Sequence, residues 1–334
     1  MKKILLIQTG GTIGMGITDR GESHLDVTAA SKAIYEKIPE LSEVAHIEMI
    51  CPFFKDSSDV GPRQWTQLIQ CIGDYYTAYD GFVILHGTDT MAYTASALSY
   101  GLQNLSKPVI LTGSQVPMAS IRSDARRNFV NAVEMATLPL PEVGICFNDF
   151  IYRGNRSTKM SIGDFDAFAS PNYPPLAEIG LEIELNNMYI RKTSNKPLDI
   201  SFSFDSDIFL LKIYPGMRPK TLQYLDFSGI RVMVIETFGS GNFPLSGEEG
   251  LLNFFEKSID SGVKLVFTSQ APYDAVDLTK YESGRAAAKL GAISAGDMTT
   301  EATITKIMYI LATCSSDDEL KNYIQTDIAG ELTT

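Results

Sequence analysis

Phe82-Val83-Ile84-Leu85-His86-Gly87-Thr88-Asp89-Thr90 is the stretch on which the reading of this 334-residue chain turns. Four consecutive apolar residues read as a strand buried on both faces. The run stops at a glycine and three small polar side chains, and a helical period follows at once in Met91, Thr94, Ala95, Leu98 and Leu102. Two hydroxyls and a carboxylate therefore sit where a core strand turns into a helix. In open α/β sheets ligands bind along that edge. Capping of the helix by Thr88 or Asp89 is the competing explanation for any single end of this kind.

Outward from this stretch the pattern alternates strand and helix, the signature of a doubly wound sheet. Toward the N-terminus, strands are expected over 3–8 and 45–51. A helix over 28–38 precedes the second strand, and another starting at Pro62 follows it and buries Trp65, Leu68, Ile69, Ile72 and Tyr76. Toward the C-terminus come a strand over 108–111, a helix over 124–136 and a strand over 143–147. A long polar and aromatic passage, 148–172, then holds Arg153-Gly154-Asn155-Arg156-Ser157-Thr158-Lys159. Residues 192–207 are polar, contain Pro197 and lack a long helical period, which suits a linker. Beyond them the alternation restarts, with strands over 208–213, 232–236 and 264–268, and helices over 220–226, 247–258, 285–290, 299–314 and 317–324. The expected architecture is α/β: a large N-terminal doubly wound domain, 1–191, and a smaller C-terminal α/β domain, 208–334.

Composition bounds the function. The chain is 44% hydrophobic and 20% charged, with a net charge of −12, which argues against nucleic acid or an anionic membrane as partner. The apolar run Ile4–Ile7 is too short for a signal-peptide core, and no apolar run reaches the ~18 residues of a membrane span. A cytoplasmic location follows. The cysteines Cys51, Cys71, Cys146 and Cys314 form no C-x-x-C pair and read as buried small hydrophobes. His24, His46 and His86 lack metal-ligand spacing, so no metal is expected.

Four strand ends of the first half carry small polar residues: Thr9-Gly10-Gly11-Thr12, Asp56-Ser57-Ser58, Thr88-Asp89 and Thr112-Gly113-Ser114-Gln115. On adjacent parallel strands these ends converge on one pocket, which capping does not explain. Thr90 remains free to start its helix. Gly10-Gly11-Thr12-Ile13-Gly14 lacks the G-x-G-x-x-G spacing of a dinucleotide loop, and its glycines fit close approach of a small ligand to the backbone. No G-x-S-x-G elbow is present. With so few histidines, a hydroxyl nucleophile needs another base, and Lys is the known substitute. Lys159 is the candidate, and an ordinary surface lysine is the alternative that composition leaves open.

Thr9-Gly10-Gly11-Thr12-Ile13-Gly14 together with His86-Gly87-Thr88-Asp89-Thr90-Met91-Ala92-Tyr93-Thr94 resembles the two signatures of bacterial L-asparaginases, in particular the cytoplasmic type I branch. Asp56-Ser57-Ser58, Thr112–Gln115, Arg153–Lys159 and Phe165–Asn172 match in order, and the resemblance extends from residue 3 to about 332. It implies hydrolysis of L-asparagine to L-aspartate and ammonia, without a cofactor. Thr12 would be the nucleophile, with Thr88, Asp89 and Lys159 as a proton relay. Asp56, Ser57 and Ser58 would bind the α-amino and α-carboxylate groups, Asp89 would also meet the ammonium, and backbone N–H groups near Thr12 and Thr88 would stabilise the oxyanion. Homodimers or homotetramers are implied, with Glu301 reaching a neighbour's site or simply favoring its own helix dipole.

Two departures stand out. Family members carry a Tyr in the loop after the nucleophile, but Asp19-Arg20-Gly21-Glu22-Ser23-His24-Leu25 has none, and Glu22 aligns there. Glu236 and Ala271 align where substrate-regulated members present an Arg and a Cys, which counts against such regulation. Other readings are a glutaminase-asparaginase, since one methylene is worth only about 1–3 kcal/mol of discrimination, and a non-catalytic amino-acid-binding protein. A tRNA-dependent amidotransferase subunit is disfavored because the chain starts directly at its first strand.

Overall fold

The computed structural model describes residues 1–11, 35–314 and 316–333. They form two compact units, Met1–Phe202 and Ser203–Thr334.

In the first unit, β1 (Lys2–Gln8), α1 (Leu41–Val44), β2 (Ala45–Ile50), α2 (Pro62–Tyr75), β3 (Gly81–Leu85), α3 (Met91–Gly101), β4 (Leu102–Gln103), β5 (Val109–Thr112), α4 (Ala125–Met135) and β6 (Val143–Phe147) follow in order. Strands β2, β1, β3, β5 and β6 lie side by side and all parallel. Alternation sorts their side chains. Ile4, Leu6, Val83 and Leu85 enter one core with Ala125, Phe129 and Ala132 of α4, while α2 and α3 cover the opposite face. Helix α3 is buried almost all round, as a helix wedged against a central sheet must be.

The expected polar passage 148–172 instead contains β7 (Phe150–Arg153), β8 (Thr158–Lys159) and β9 (Phe168–Ala169). Phe147 pairs with Phe150 across Asn148-Asp149, so β7 runs antiparallel to β6. Asn148 takes a left-handed φ of 52°, which Asn tolerates better than most residues. Strands β10 (Ala177–Ile179) and β11 (Ile183–Leu185) extend the sheet antiparallel, giving eight strands in the order β11-β10-β7-β6-β5-β3-β1-β2. Within 192–207, β12 (Asp199–Ile200) pairs with β4.

The second unit holds a parallel sheet of β13 (Ile208–Lys212), β14 (Val232–Thr237), β15 (Lys264–Ser269) and β16 (Ile293–Ser294). Its helices are α5 (Pro219–Leu222), α6 (Leu252–Asp260), α7 (Glu282–Lys289), α8 (Thr300–Thr313) and α9 (Asp317–Ile324). The helix expected over 220–226 is the single turn α5. The one expected from 247 starts at Leu252, after a 3-10 turn at Gly247–Glu249, because two glycines at 247 and 250 are poor helix formers. Cys71 and Cys146 are buried, whereas Cys51 and Cys314 are only half-buried. Tyr76 is likewise half-buried, stacked on Phe82 just past the end of α2. Among the described residues no helix is long and apolar enough to cross a membrane.

Candidate active site

Because β2, β1, β3 and β5 are parallel neighbours, their C-terminal ends lie along one edge. The ends are held together by hydrogen bonds. Lys55 N–H donates to Thr9 O at 2.9 Å, Thr9 Oγ1 to Leu85 O at 2.7 Å, and His86 N–H to Thr112 O at 2.9 Å. The two glycines of the first end have a use different from the expected one. A Cβ on Gly10 (φ 125°) would lie 1.9 Å from Lys55 O, and one on Gly11 (φ 74°) 2.6 Å from Gly87 N. They let three backbones approach one another closely.

Thr88 and Asp89 stand immediately beyond β3, and Lys159 reaches them from β8. Lys159 Nζ donates to Thr88 Oγ1 at 2.8 Å and to Asp89 Oδ1 at 2.6 Å. Lys159 is placed by the β8–β9 pairing, in which it faces Phe168. Phe168 is buried against Phe147, so the small hairpin is pinned to the end of β6. The pair is partly wet: the Lys159 side chain is 15% exposed and that of Asp89 67%.

Gln115 is a member of the site that its strand-end position alone did not single out. Its Oε1 accepts from Thr88 Oγ1 at 3.3 Å, while Nε2 donates to Ser161 O and Asp164 O, both at 3.2 Å. Thr88 thus takes a bond from Lys159 and gives its own proton to Gln115. The backbone of Gln115 is held in turn by Asp124, whose carboxylate accepts from Gln115 N, Val116 N and Asn128 Nδ2. A sequence signal for Gln115 existed in the Gly113-Ser114-Gln115 end itself, but not for its partners.

Asp56 and Ser58 form a local turn. Asp56 Oδ1 accepts from Ser58 N–H at 2.9 Å and from Ser58 Oγ at 2.7 Å, and these bonds lower the carboxyl pKa. Ser57 is buried, and its carbonyl accepts from Thr90 Oγ1 at 2.6 Å. Thr90 does occupy the position before α3, but its hydroxyl tethers the Ser57 turn and makes no cap bond. Glu301 lies half-buried in the first turn of α8, in the second unit. Thr12 and Glu22 lie outside the described residues.

Comparison with known proteins agrees over the whole chain. Residues 3–191 match the family model described as Asparaginase, N-terminal, and residues 207–324 the Glutaminase/Asparaginase C-terminal domain. The chain is 38% identical to L-asparaginase 1 of Escherichia coli K12 over 337 aligned residues, covering 99% of this chain and 98% of that protein. The crystal structure of L-asparaginase I from Vibrio cholerae is similar with a TM-score of 0.85 and 38% identity, covering 100% of this chain and 99% of that one. The thermostable L-asparaginase from Thermococcus kodakarensis is similar with a TM-score of 0.87 and 34% identity, covering 99% of both.

Proposed function

The chain belongs to the asparaginase family, and from that premise we propose that it hydrolyses L-asparagine to L-aspartate and ammonia, with Thr12 as nucleophile and Thr88, Asp89 and Lys159 as its proton relay. The observation that carries this reading is the pair of bonds from Lys159 Nζ to Thr88 Oγ1 and Asp89 Oδ1. They join residues 70 positions or more apart in sequence at the edge where the strand ends converge.

An amide is a poor electrophile, so its hydrolysis needs an activated nucleophile and oriented oxyanion donors. Thr12 Oγ1 attacks the side-chain amide carbon and its proton passes to the relay. The tetrahedral oxyanion is held by backbone N–H groups near Thr12 and Thr88. Collapse of the adduct expels ammonia, protonated by the same relay, and leaves an aspartyl ester on Thr12. Water, deprotonated through Thr88 and Lys159, then attacks the ester and frees aspartate. Asp89 Oδ1 holds Lys159, which leaves Oδ2 for the substrate ammonium. The Asp56-Ser57-Ser58 turn offers a carboxylate and hydroxyls to the zwitterionic end of the substrate.

Ammonia release from asparagine and glutamine by the purified protein tests the reading. Release from asparagine is expected, and a fall of at least about 10²-fold in Thr12→Ala. Undiminished turnover by Thr12→Ala would remove it as nucleophile. Binding of asparagine without release would make the chain an amino-acid-binding protein.

A further inference from the structure

A buried chain of hydrogen bonds runs through Trp65, Thr94 and His86 to the backbone of the strand end, and no step above uses it. Trp65 Nε1 donates to Thr94 Oγ1 at 3.1 Å, Thr94 Oγ1 lies 3.0 Å from His86 Nε2, and His86 Nδ1 lies 2.7 Å from Gly87 O. All three side chains are buried. A carbonyl oxygen can only accept, so Nδ1 carries the ring proton and Nε2 accepts from the Thr94 hydroxyl. Burial pushes the His86 pKa down to about 4, which keeps this neutral form at pH 7.

The peptide between Gly87 and Thr88 is trans, so its N–H points opposite to its C=O. Holding Gly87 O toward the ring therefore aims the Thr88 N–H away from it. No described residue accepts from that N–H. An amide beside a relay hydroxyl, with no acceptor among the described residues and with its direction fixed before charge develops, suits an oxyanion-binding donor.

We propose that His86 is a positioning residue: held in its Nδ1–H tautomer by Thr94 and Trp65, it locks the Gly87–Thr88 peptide so that the Thr88 N–H meets the oxyanion. This rests on the amide-hydrolysis reading above. His86 itself touches no substrate. It acts as the residues behind metal ligands do, by fixing the orientation of a group that does the work.

Two substitutions separate this role from simple packing. The side-chain amide of Asn reaches the position of His Nδ1, and that of Gln the position of Nε2. His86→Asn can keep the donor to Gly87 O, whereas His86→Gln keeps the Thr94 contact and loses that donor. We expect His86→Gln to lower kcat about 30-fold with KM within about 3-fold, and His86→Asn to recover most of kcat. Both should lose thermal midpoint, since both leave a cavity. The backbone amide resonance of Thr88 should shift in His86→Gln and stay near its wild-type position in His86→Asn. That readout holds whether or not asparagine is the substrate, which wild-type ammonia release decides separately. Wild-type kcat in His86→Gln, an unmoved Thr88 resonance there, or equal kcat losses that track the two midpoints would overturn the proposal.

Discussion

Two lysine–carboxylate pairs in this protein have the same 2.6 Å separation and opposite surroundings. Lys159 meets Asp89 at the strand edge of the first unit, with side-chain exposures of 15% and 67%. Lys306 meets Glu331 inside the second unit, at 1% and 0%. Lys306 Nζ also donates to Ile324 O at 3.0 Å and Thr326 O at 2.6 Å, so its three donors are all used. Glu331 is equally saturated, accepting from the backbone N–H groups of Ile328 and Ala329. Lys159 has two partners among the described residues, a hydroxyl and a carboxylate, and its side chain is not fully buried. A saturated, dry pair clamps the C-terminal segment onto α8 and can exchange nothing. The half-wet pair can pass a proton or yield a donor without exposing a bare charge. Both are lysine–carboxylate pairs at the same distance, and the number of partners separates the clamp from the proposed relay.

The largest expected effect comes from cutting the dry pair. Lys306→Ala leaves the Glu331 carboxylate buried without its cation and should destabilise the protein by about 3–5 kcal/mol in urea unfolding. Its kcat at a temperature where it stays folded should match the wild type. If that variant unfolds at the wild-type midpoint, the clamp assignment is wrong.

Cutting the half-wet pair should invert the readouts. Lys159→Ala is expected to lose at least about 10² in kcat, near 3 kcal/mol of barrier, while stability changes by about 1 kcal/mol or less. Matching losses of stability in Lys159→Ala and Lys306→Ala would dissolve the contrast.

A third test concerns His86, which is buried like Lys306 but neutral. Its folded pKa of about 4 lies below the ordinary 6.5, so the unfolded chain binds the proton more readily. Stability from this group is therefore complete above about pH 6.5 and is lost as pH falls toward 4, by about 2 kcal/mol between pH 7 and 5. In His86→Asn that contribution should vanish, and the unfolding free energies at pH 7 and 5 should draw together by the same amount.

The smallest effect is expected at Thr90, whose hydroxyl tethers the exposed side of the site. Thr90→Val removes the bond to Ser57 O and should cost about 1 kcal/mol, read as a rise in KM for asparagine with little change in kcat.

Strands β1, β3 and β5 of the first unit's parallel core were legible because each is a short apolar run followed within two residues by Gly or Thr. The Asn148-Asp149 hairpin carried a signal too, a turn pair between two apolar triplets, but the polar residues downstream masked it. At the site, the small polar strand ends could be read directly. Gln115 as the bridge from Thr88 to the 161–164 loop could not, since its partners lie 27 to 49 residues away.

The sequence by itself determined the α/β alternation, the small polar strand ends and membership of the asparaginase family. Those properties are carried by local periodicity and by short runs of residue type. Tertiary structure decided which lysine became a wet, two-partner cation and which a dry, saturated one. It also decided which tautomer His86 holds and which hydroxyl tethers instead of capping. Each of these depends on burial and on partners delivered from distant segments, and neither is encoded in a residue's own neighbourhood.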